Sequence, residues 1–269
     1  MRTRFVSWKN LAPSRNVSTT ENRRISEAAE IGAPVIAGGT LLAGPDAAPD
    51  APVRNALWLF SQDGASRPYV KRHLVPFGEF IPLDEHVPFL RRLAPAGVTC
   101  TPGNGPEAFE IAGARVSALI CFEDTDAPTA RASARGADLL LSASNDAWFD
   151  GSCESAQHHR EAALRAIENG VPLLRVSNRG LSGVVSPSGE RTPDGGTLLV
   201  HSVPLPGKDA LPPPPYARFG DLLFGYPCAA LLLAFAAVGV ARSRAERSRA
   251  ERKAAAEPAS RISPESCAS

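Results

Sequence analysis

The chain has 269 residues, enough to bury a sizeable core and to form one large domain or two small ones. Hydrophobic residues make up 43% of it and charged residues 21%, which are ordinary values for a globular protein. A formal net charge of +1 gives no indication of a nucleic-acid partner, and we expect none.

The five cysteines are odd in number and scattered along the chain. No Cys-x-x-Cys pair occurs, which argues against a zinc ribbon or a thioredoxin-type redox site. A disulfide between Cys100 and Cys153 is conceivable if the domain faces an oxidising compartment.

The N-terminal segment, MRTRFVSWKNLAPSRN, has no apolar stretch and is not a signal peptide. The segments after it favour a layered α/β (α+β) domain over residues 1–210, without internal repeats. A helix is predicted at 18–31, where Ser18 and Glu21 form a capping box. The other predicted elements, in chain order, are strands at 33–42, 54–60 and one ending near Lys71, a proline-rich loop at 72–108, strands at 115–120 and 137–143, a helix at 154–169, and strands at 171–177, 182–187 and 196–203.

The C-terminal part reads as a membrane anchor. A stiff, proline-rich linker at 211–221 leads to residues 222–241, which contain no charged side chain and reach ~30 Å as a helix, the thickness of a bilayer core. The tail at 242–269 begins RSRAERSRAERK, a basic flank that is typical of the cytoplasmic side, and we expect it to be disordered. The alternative is a buried core helix. A transmembrane helix would place the preceding domain on the outer face of the cell membrane.

One cysteine stands at the end of a predicted strand, in the stretch RVSALICFEDTD at 115–126. Cys121 ends the apolar run, and acidic residues follow at once. A cysteine inside such a strand is usually a small buried hydrophobe, whereas the carboxyl ends of strands are where α/β sheets open their active-site crevices.

Three segments share a pattern with a known family: YVKRHLVPFGEFIP at 69–82, ALICFED at 118–124 and SNDAWFD at 144–150. In this order they resemble the nitrilase-type (carbon-nitrogen hydrolase) domain of the apolipoprotein N-acyltransferases. The resemblance extends from Trp8 to the apolar C-terminal segment, and it implies an αββα sandwich followed by one transmembrane helix.

The resemblance also implies a Glu–Lys–Cys catalytic set. Cys121 would be the nucleophile, and Lys71 would stabilise the thiolate and the tetrahedral oxyanion. A thiol is mostly protonated at neutral pH, so such a nucleophile needs a nearby cation or base. Glu79 and Glu123 match acidic positions of the family and would orient Lys71 and the incoming amine; the alternative is that both are surface acids.

The segment at 144–150 matches a loop near the acyl-chain entrance of the family. Asn145, Trp148 and Phe149 are therefore candidate substrate-binding residues, although core packing is the alternative for the aromatic side chains. The histidines lack the helical spacing of a zinc site, so we expect no metal and no cofactor. We expect His159 to be a solvated helix residue.

The sequence departs from the family at its N-terminal end. The general base of the family stands in a Trp-Pro-Glu motif, but here Trp8 is followed by Lys9 and Asn10. Family members also carry several membrane helices before this domain. These two differences suggest an N-terminally truncated member, and without a leading span nothing obvious carries the domain across the membrane.

Three functions follow as hypotheses. The first is an acyltransferase that moves a fatty acyl chain from a phospholipid through a cysteine thioester to the N-terminal amine of a diacylglyceryl-cysteine apolipoprotein. The second is a soluble-type amidase of the nitrilase superfamily that hydrolyses a small amide. The third is a non-catalytic, degenerate fragment, for which the missing glutamate is the main support.

Overall fold

The structure is a computed structural model. It describes residues 4–6, 30–41, 53–83, 86–87, 89–90, 100–192, 200–205 and 212–256. The chain divides into two compact units, Met1–Gly220 and Asp221–Ser269.

Among its described residues, the first unit contains eleven strands and three helices with both ends described. The strands are β1 (Arg4–Val6), β2 (Val35–Leu41), β3 (Arg54–Ser61), β4 (Gly64–Ala65), β5 (Tyr69–Val70), β6 (Ala108–Ile111), β7 (Ala114–Ile120), β8 (Leu139–Asn145), β9 (Leu173–Asn178), β10 (Gly183–Val185) and β11 (Val200–Ser202). The helices are α1 (Ala127–Ala134), α2 (Glu154–Asn169) and α3 (Pro215–Phe219). The strand and helix predictions at 33–42, 54–60, 115–120, 137–143 and 154–169 agree with β2, β3, β7, β8 and α2.

A five-stranded sheet, ordered β10-β9-β8-β7-β6, supports the rest of the unit. Its three central strands are parallel, and the two edge strands run antiparallel to them. The central strands are buried on both faces, which explains why they read as continuous apolar runs rather than as alternating ones. Ile120 pairs with Ala143, and Asn145 pairs with Asn178, so the carboxyl ends of β7, β8 and β9 meet at one edge.

A second, antiparallel sheet of β2, β3, β4 and β5 covers one face of the first. The core between the two sheets contains Leu57 and Tyr69 from the smaller sheet and Val116, Leu141 and Leu174 from the larger one. Fully burying such a side chain stabilises the fold by about 1.5–3 kcal/mol. Strands β1 and β11 form a separate antiparallel pair.

Two helices cover the other face of the five-stranded sheet. Small residues of α1 and α2, including Ala134, Ala162 and Ala166, pack on Leu140 and Leu173. Helix α2 ends at Gly170, which has a φ of 67° and takes the left-handed C-cap position. These layers form the α-β-β part of the predicted sandwich; the helix predicted at 18–31 lies almost wholly outside the described residues.

Helix α1 was not expected, because the segment after Cys121 was predicted only as a connection between strands. The Asp126 carboxylate accepts a hydrogen bond from the Thr129 amide and caps the helix, and a proline lies in its first turn. The helix has little apolar periodicity, so its packing against the sheet is what identifies it.

The C-terminal unit is a helix, α4 (Leu222–Ala256), with Pro227 inside it. Its residues Leu222–Lys253 are long and apolar enough to cross a membrane by length and composition. Two expectations need correction: residues 242–256 are helical rather than disordered, and the 211–221 linker contains the short helix α3. Lys and Arg favour helices, and no helix-breaking residue separates the apolar and basic parts.

Candidate active site

Cys121 lies where β7 ends, at the edge that the parallel strands share. It is half-buried and opens a 3-10 turn, Cys121–Asp124, which we name the Cys121 turn. Its φ is 53°, in the left-handed region, where a non-glycine residue costs about 1–3 kcal/mol. Cys121 is thus half-buried at a strand end rather than inside the core, and its role as the nucleophile stays a prediction.

Lys71 follows β5 and is fully buried, with its ammonium ion paired to Glu79. The Lys71 Nζ lies 2.7 Å from Glu79 Oε2, and the same oxygen accepts a hydrogen bond from the Val75 amide. The other carboxylate oxygen of Glu79 accepts one from Asn55 Nδ2 at 2.6 Å. The carboxylate is thereby held in one orientation beside the ammonium.

Glu123 joins the segment after β5 to the Cys121 turn. Its carboxylate is fully buried and accepts hydrogen bonds from the backbone amides of Arg72, His73 and Ile120, and from the Tyr69 hydroxyl at 2.7 Å. Burial, and next the charge of Glu123, raise the pKa of Tyr69 well above its ordinary value, so the phenol remains a donor. The alternative that Glu79 and Glu123 are surface acids is therefore wrong.

The candidate substrate-binding residues lie at the end of β8. The Asn145 side chain accepts hydrogen bonds from the Ala147 amide and from Asn178 Nδ2. A second 3-10 turn, Asp146–Phe149, follows and is named here the Trp148 turn. Trp148 is 78% exposed and Phe149 41%, so neither is a core residue. Exposed aromatic side chains at this edge are available to contact an apolar ligand.

Four charged side chains form a buried cluster behind these two turns: Asp124, Asp146, His158 and Arg175. His158 Nε2 lies 2.7 Å from Asp124 Oδ1 and its Nδ1 lies 3.3 Å from Asp146 Oδ1. Arg175 Nε lies 3.3 Å from Asp124 Oδ2, and a terminal nitrogen lies 3.0 Å from Asp146 Oδ2. We call these four residues the charge cluster.

Ionisation in the charge cluster follows from these contacts. Burial alone lowers the pKa of His158, but the hydrogen bond to Asp124 and the nearby Asp146 carboxylate outweigh it and raise the pKa to about 10. Burial likewise opposes the charge of Asp146, yet the nearby His158 ring and the charge of Arg175 hold the pKa of Asp146 well below its ordinary value. At neutral pH His158 is therefore protonated and Asp146 is ionised.

Comparison with known proteins identifies the domain. The family model described as carbon-nitrogen hydrolase matches residues 6–199. The chain belongs to the carbon-nitrogen hydrolase family.

The curated relatives with similar sequences include several apolipoprotein N-acyltransferases. The apolipoprotein N-acyltransferase of Geobacter metallireducens is 35% identical over 175 residues, covering 64% of this chain and 33% of that protein. The one of Gloeobacter violaceus is 42% identical over 142 residues, covering 51% and 27%. The one of Bradyrhizobium diazoefficiens is 32% identical over 240 residues, covering 84% and 43%. The predicted resemblance is confirmed, and the chain spans less than half the length of these curated relatives.

Solved structures of the family share the fold. A mutant amidase from Nesterenkonia sp. AN1, in which acrylamide has added to the active-site cysteine, has a TM-score of 0.51 and 22% identity and covers 70% of each chain. The same amidase after tag removal has a TM-score of 0.51 and covers 70% of this chain and 69% of that one. The likeness confirms the nitrilase-like fold of this carbon-nitrogen hydrolase domain.

The structure also tests the predictions about two cysteines and one histidine of the hydrolase domain. Cys100 is a buried free thiol and Cys153 an exposed one, so the conceivable disulfide between them is not formed. His159 is buried, so the expectation that it is solvated is wrong; α2 turns it towards the domain interior. Trp8 and the two residues after it lie outside the described residues. The absence of the Trp-Pro-Glu glutamate is therefore known from the sequence alone.

Several residues of this carbon-nitrogen hydrolase site were missed by sequence reasoning. Asn55 orients Glu79, Tyr69 holds Glu123, and Arg175 joins the two buried aspartates. Tyr69 stands inside the motif that identifies the family, which is a signal that could have found it. Asn55 and Arg175 sit in ordinary predicted strands, where only tertiary contacts reveal what they hold.

Proposed function

We propose that this chain carries the acyl-transfer chemistry of an apolipoprotein N-acyltransferase. A fatty acyl chain would move from a phospholipid to Cys121 and then to the N-terminal amine of a diacylglyceryl-cysteine apolipoprotein. The observation that carries the proposal is the junction at Glu123, whose carboxylate binds both the segment after Lys71 and the last residue before Cys121.

The first half-reaction forms a thioester. The thiol of Cys121 gives its proton to a base, and its sulfur attacks the ester carbonyl of the phospholipid. The ester C–O bond then breaks, and the lysophospholipid oxygen takes up a proton as it leaves. Lys71 supports the anionic intermediate, because a buried ammonium stabilises a developing oxyanion strongly away from water.

The second half-reaction forms an amide. The free amine of the acceptor attacks the thioester carbonyl, the C–S bond breaks and an amine proton passes to a base while the thiolate returns. Glu79 orients Lys71 through both steps. Family members take the base from the glutamate of Trp-Pro-Glu, so we expect proton removal to be the slow step of this chain.

The proposed location is the cell membrane, with the hydrolase domain on its outer face. Helix α4 has the length and apolar composition of a membrane span, and basic residues follow the apolar part. The exposed Trp148 and Phe149 suit contact with an acyl chain at the bilayer interface. The phospholipid donor and the apolipoprotein acceptor would both be reached there.

The test is acylation of Cys121 by a tagged lipid. The full chain is reconstituted in liposomes that contain an alkyne-tagged phosphatidylethanolamine, and the thioester is detected by click chemistry and peptide mass spectrometry. We expect a label on Cys121 that is absent in Cys121→Ser. Ammonia release from small amides without lipid would favour the amidase instead. A folded protein with neither activity would favour the non-catalytic fragment.

A further inference from the structure

The charge cluster connects the two turns of the site, although none of its members has a role in the proposed chemistry. Asp124 is the last residue of the Cys121 turn, and Asp146 is the first residue of the Trp148 turn. These turns follow β7 and β8, which are adjacent and parallel. Each turn therefore supplies one buried carboxylate at the same edge of the sheet.

Two cations bridge these carboxylates from two further elements. Arg175 belongs to β9 and reaches Asp124 with Nε and Asp146 with a terminal nitrogen. His158 belongs to α2 and approaches the same two carboxylates with its two ring nitrogens. Each cation thus contacts both turns, and the turns are held relative to each other from the sheet and from the helix.

Hydroxyl groups complete the cluster. The Ser142 hydroxyl donates to Asp124, and the Ser144 hydroxyl donates to Asp146. Gly180 leaves room for Asp146, because a Cβ at Gly180 would collide with that carboxylate and with the Ser177 hydroxyl. The surroundings fit one arrangement of the charges.

Buried charges such as these contribute little net free energy to the stability of a core. Apolar residues of similar volume often stabilise a fold as well as a buried ion pair does, because desolvating the charges offsets their attraction. What a cluster of charges adds is direction, since hydrogen-bonded charges fix angles and distances. The fixed parts here are the turn that begins with the strained Cys121 and the turn that carries Trp148.

We propose that the charge cluster is a positioning device that couples the Cys121 turn to the Trp148 turn. It keeps Cys121 in its left-handed conformation and sets the spacing between the thiol and the exposed aromatic side chains. Asp146, which follows β8, therefore influences the position of the Cys121 thiol, which follows β7. The substrate consequences rest on the proposed function, whereas the effect on the thiol does not.

The test measures thiol alkylation and needs no lipid substrate. Full-length protein in detergent is treated with iodoacetamide, and the rate at Cys121 is read by peptide mass spectrometry for Asp124→Asn, Asp146→Asn and the double variant. We expect each single change to slow alkylation of Cys121 about tenfold, because the reactivity of a half-buried thiol depends on its surroundings and on the access of the reagent, both of which the turn sets. Both substitutions disrupt the same charge cluster. The double variant should therefore slow alkylation of Cys121 about as much as either single variant does, not about a hundredfold.

Internal thiols separate positioning from unfolding. Cys100 is buried and should stay unreactive in each variant, while the exposed Cys153 should react at an unchanged rate. Asp138→Asn is the matched control, because this aspartate lies just before β8, at the strand's opposite end. Its Cys121 rate should equal that of the unmodified chain.

The outcomes decide the proposal. An unchanged or faster Cys121 rate in Asp146→Asn would overturn it, and so would single effects that multiply in the double variant. If Cys100 becomes reactive, the aspartate variants are unfolding, and Ser142→Ala and Ser144→Ala replace them. Each of these removes one hydrogen bond from a carboxylate of the cluster. The same outcomes at Cys121 support or overturn the proposal. A chain that alkylates as expected but takes no acyl label would contradict the proposed function and leave the coupling intact.

Discussion

Lys71 and Glu79 form a 2.7 Å ion pair in which the lysine is fully buried and the glutamate side chain is 17% exposed. Three donors orient the Glu79 carboxylate, namely Asn55 Nδ2, the Val75 amide and the Lys71 ammonium itself. The ammonium is thus anchored through Glu79 within the protein itself.

Replacing Lys71 by alanine should nearly abolish acylation of Cys121. Loss of one oxyanion donor lowers kcat by about 10²–10³ in comparable sites, and here the uncompensated Glu79 carboxylate remains. The measurement is the initial rate of alkyne-lipid labelling, with Lys253→Ala, in the basic tail, as the control. Retention of turnover in Lys71→Ala would contradict the mechanism.

Glu123→Gln should loosen the junction between the segment after β5 and the Cys121 turn. A glutamine has only one acceptor oxygen. Its NH₂ group would face N–H or O–H groups that now donate hydrogen bonds to the Glu123 carboxylate. Hydrogen bonds to a charged group are worth about 1.5–3 kcal/mol each, so we expect the free energy of unfolding to fall by at least about 2 kcal/mol. Thermal unfolding in detergent measures it. Glu110→Gln, on an exposed position of β6, should unfold as the unmodified chain does.

The left-handed backbone of Cys121 predicts an unusual order of stabilities. Glycine adopts a φ of 53° freely, whereas alanine keeps most of the strain of cysteine. Cys121→Gly should therefore be more stable than Cys121→Ala by about 1 kcal/mol, in spite of the greater entropy of glycine in the unfolded chain. Denaturant midpoints compare the two. A more stable alanine variant would mean that the turn is not strained.

His158 predicts how stability depends on pH. Its pKa rises on folding from an ordinary 6.5 to about 10, because Asp124 and Asp146 outweigh the effect of burial. A raised pKa gives stability that is complete below about pH 6.5 and is lost as the pH rises to about 10. The neighbours Glu154 and Arg175 also face the ring.

The comparison of His158→Gln with the unmodified chain isolates this contribution. Urea midpoints at several pH values between 6 and 10 should fall less steeply in the variant. Every other side chain is the same in both proteins, so the difference between the two curves reports the contribution of His158. Parallel curves would show that His158 does not carry the pH dependence.

Restoring the family's Trp-Pro-Glu motif should raise the rate of Cys121 acylation. The variant combines Lys9→Pro with Asn10→Glu, and Lys9→Pro with Asn10→Gln is its matched control. On the proposed function a glutamate in this motif is the general base, and general bases contribute about 10²–10⁴-fold. An equal rate in the two variants would place the limitation elsewhere in the chain.

The apolar runs at β7, β8 and β9 and the capped end of α2 could be predicted because their patterns are local. Helix α1 could not, since its alanines become a packing face only against Leu140 and its neighbours. His159 of α2 was misjudged for a related reason: a polar side chain on a helix is expected to be solvated unless its partners are known. Asp124 and Asp146 are brought to His158 by strand order alone.

The sequence by itself determined the family, the place of Cys121 at a strand end, the lysine and the two acidic residues of the motifs, and the length of the apolar C-terminal segment. Those features are stretches of consecutive residues, and their chemistry is written in short motifs. Only the tertiary structure decided that Glu123 fastens the segment after Lys71 to the Cys121 turn, and that one charge cluster holds both turns. The reason is that hydrogen bonds and ion pairs between separate strands depend on sheet order and register, which no short stretch of sequence contains.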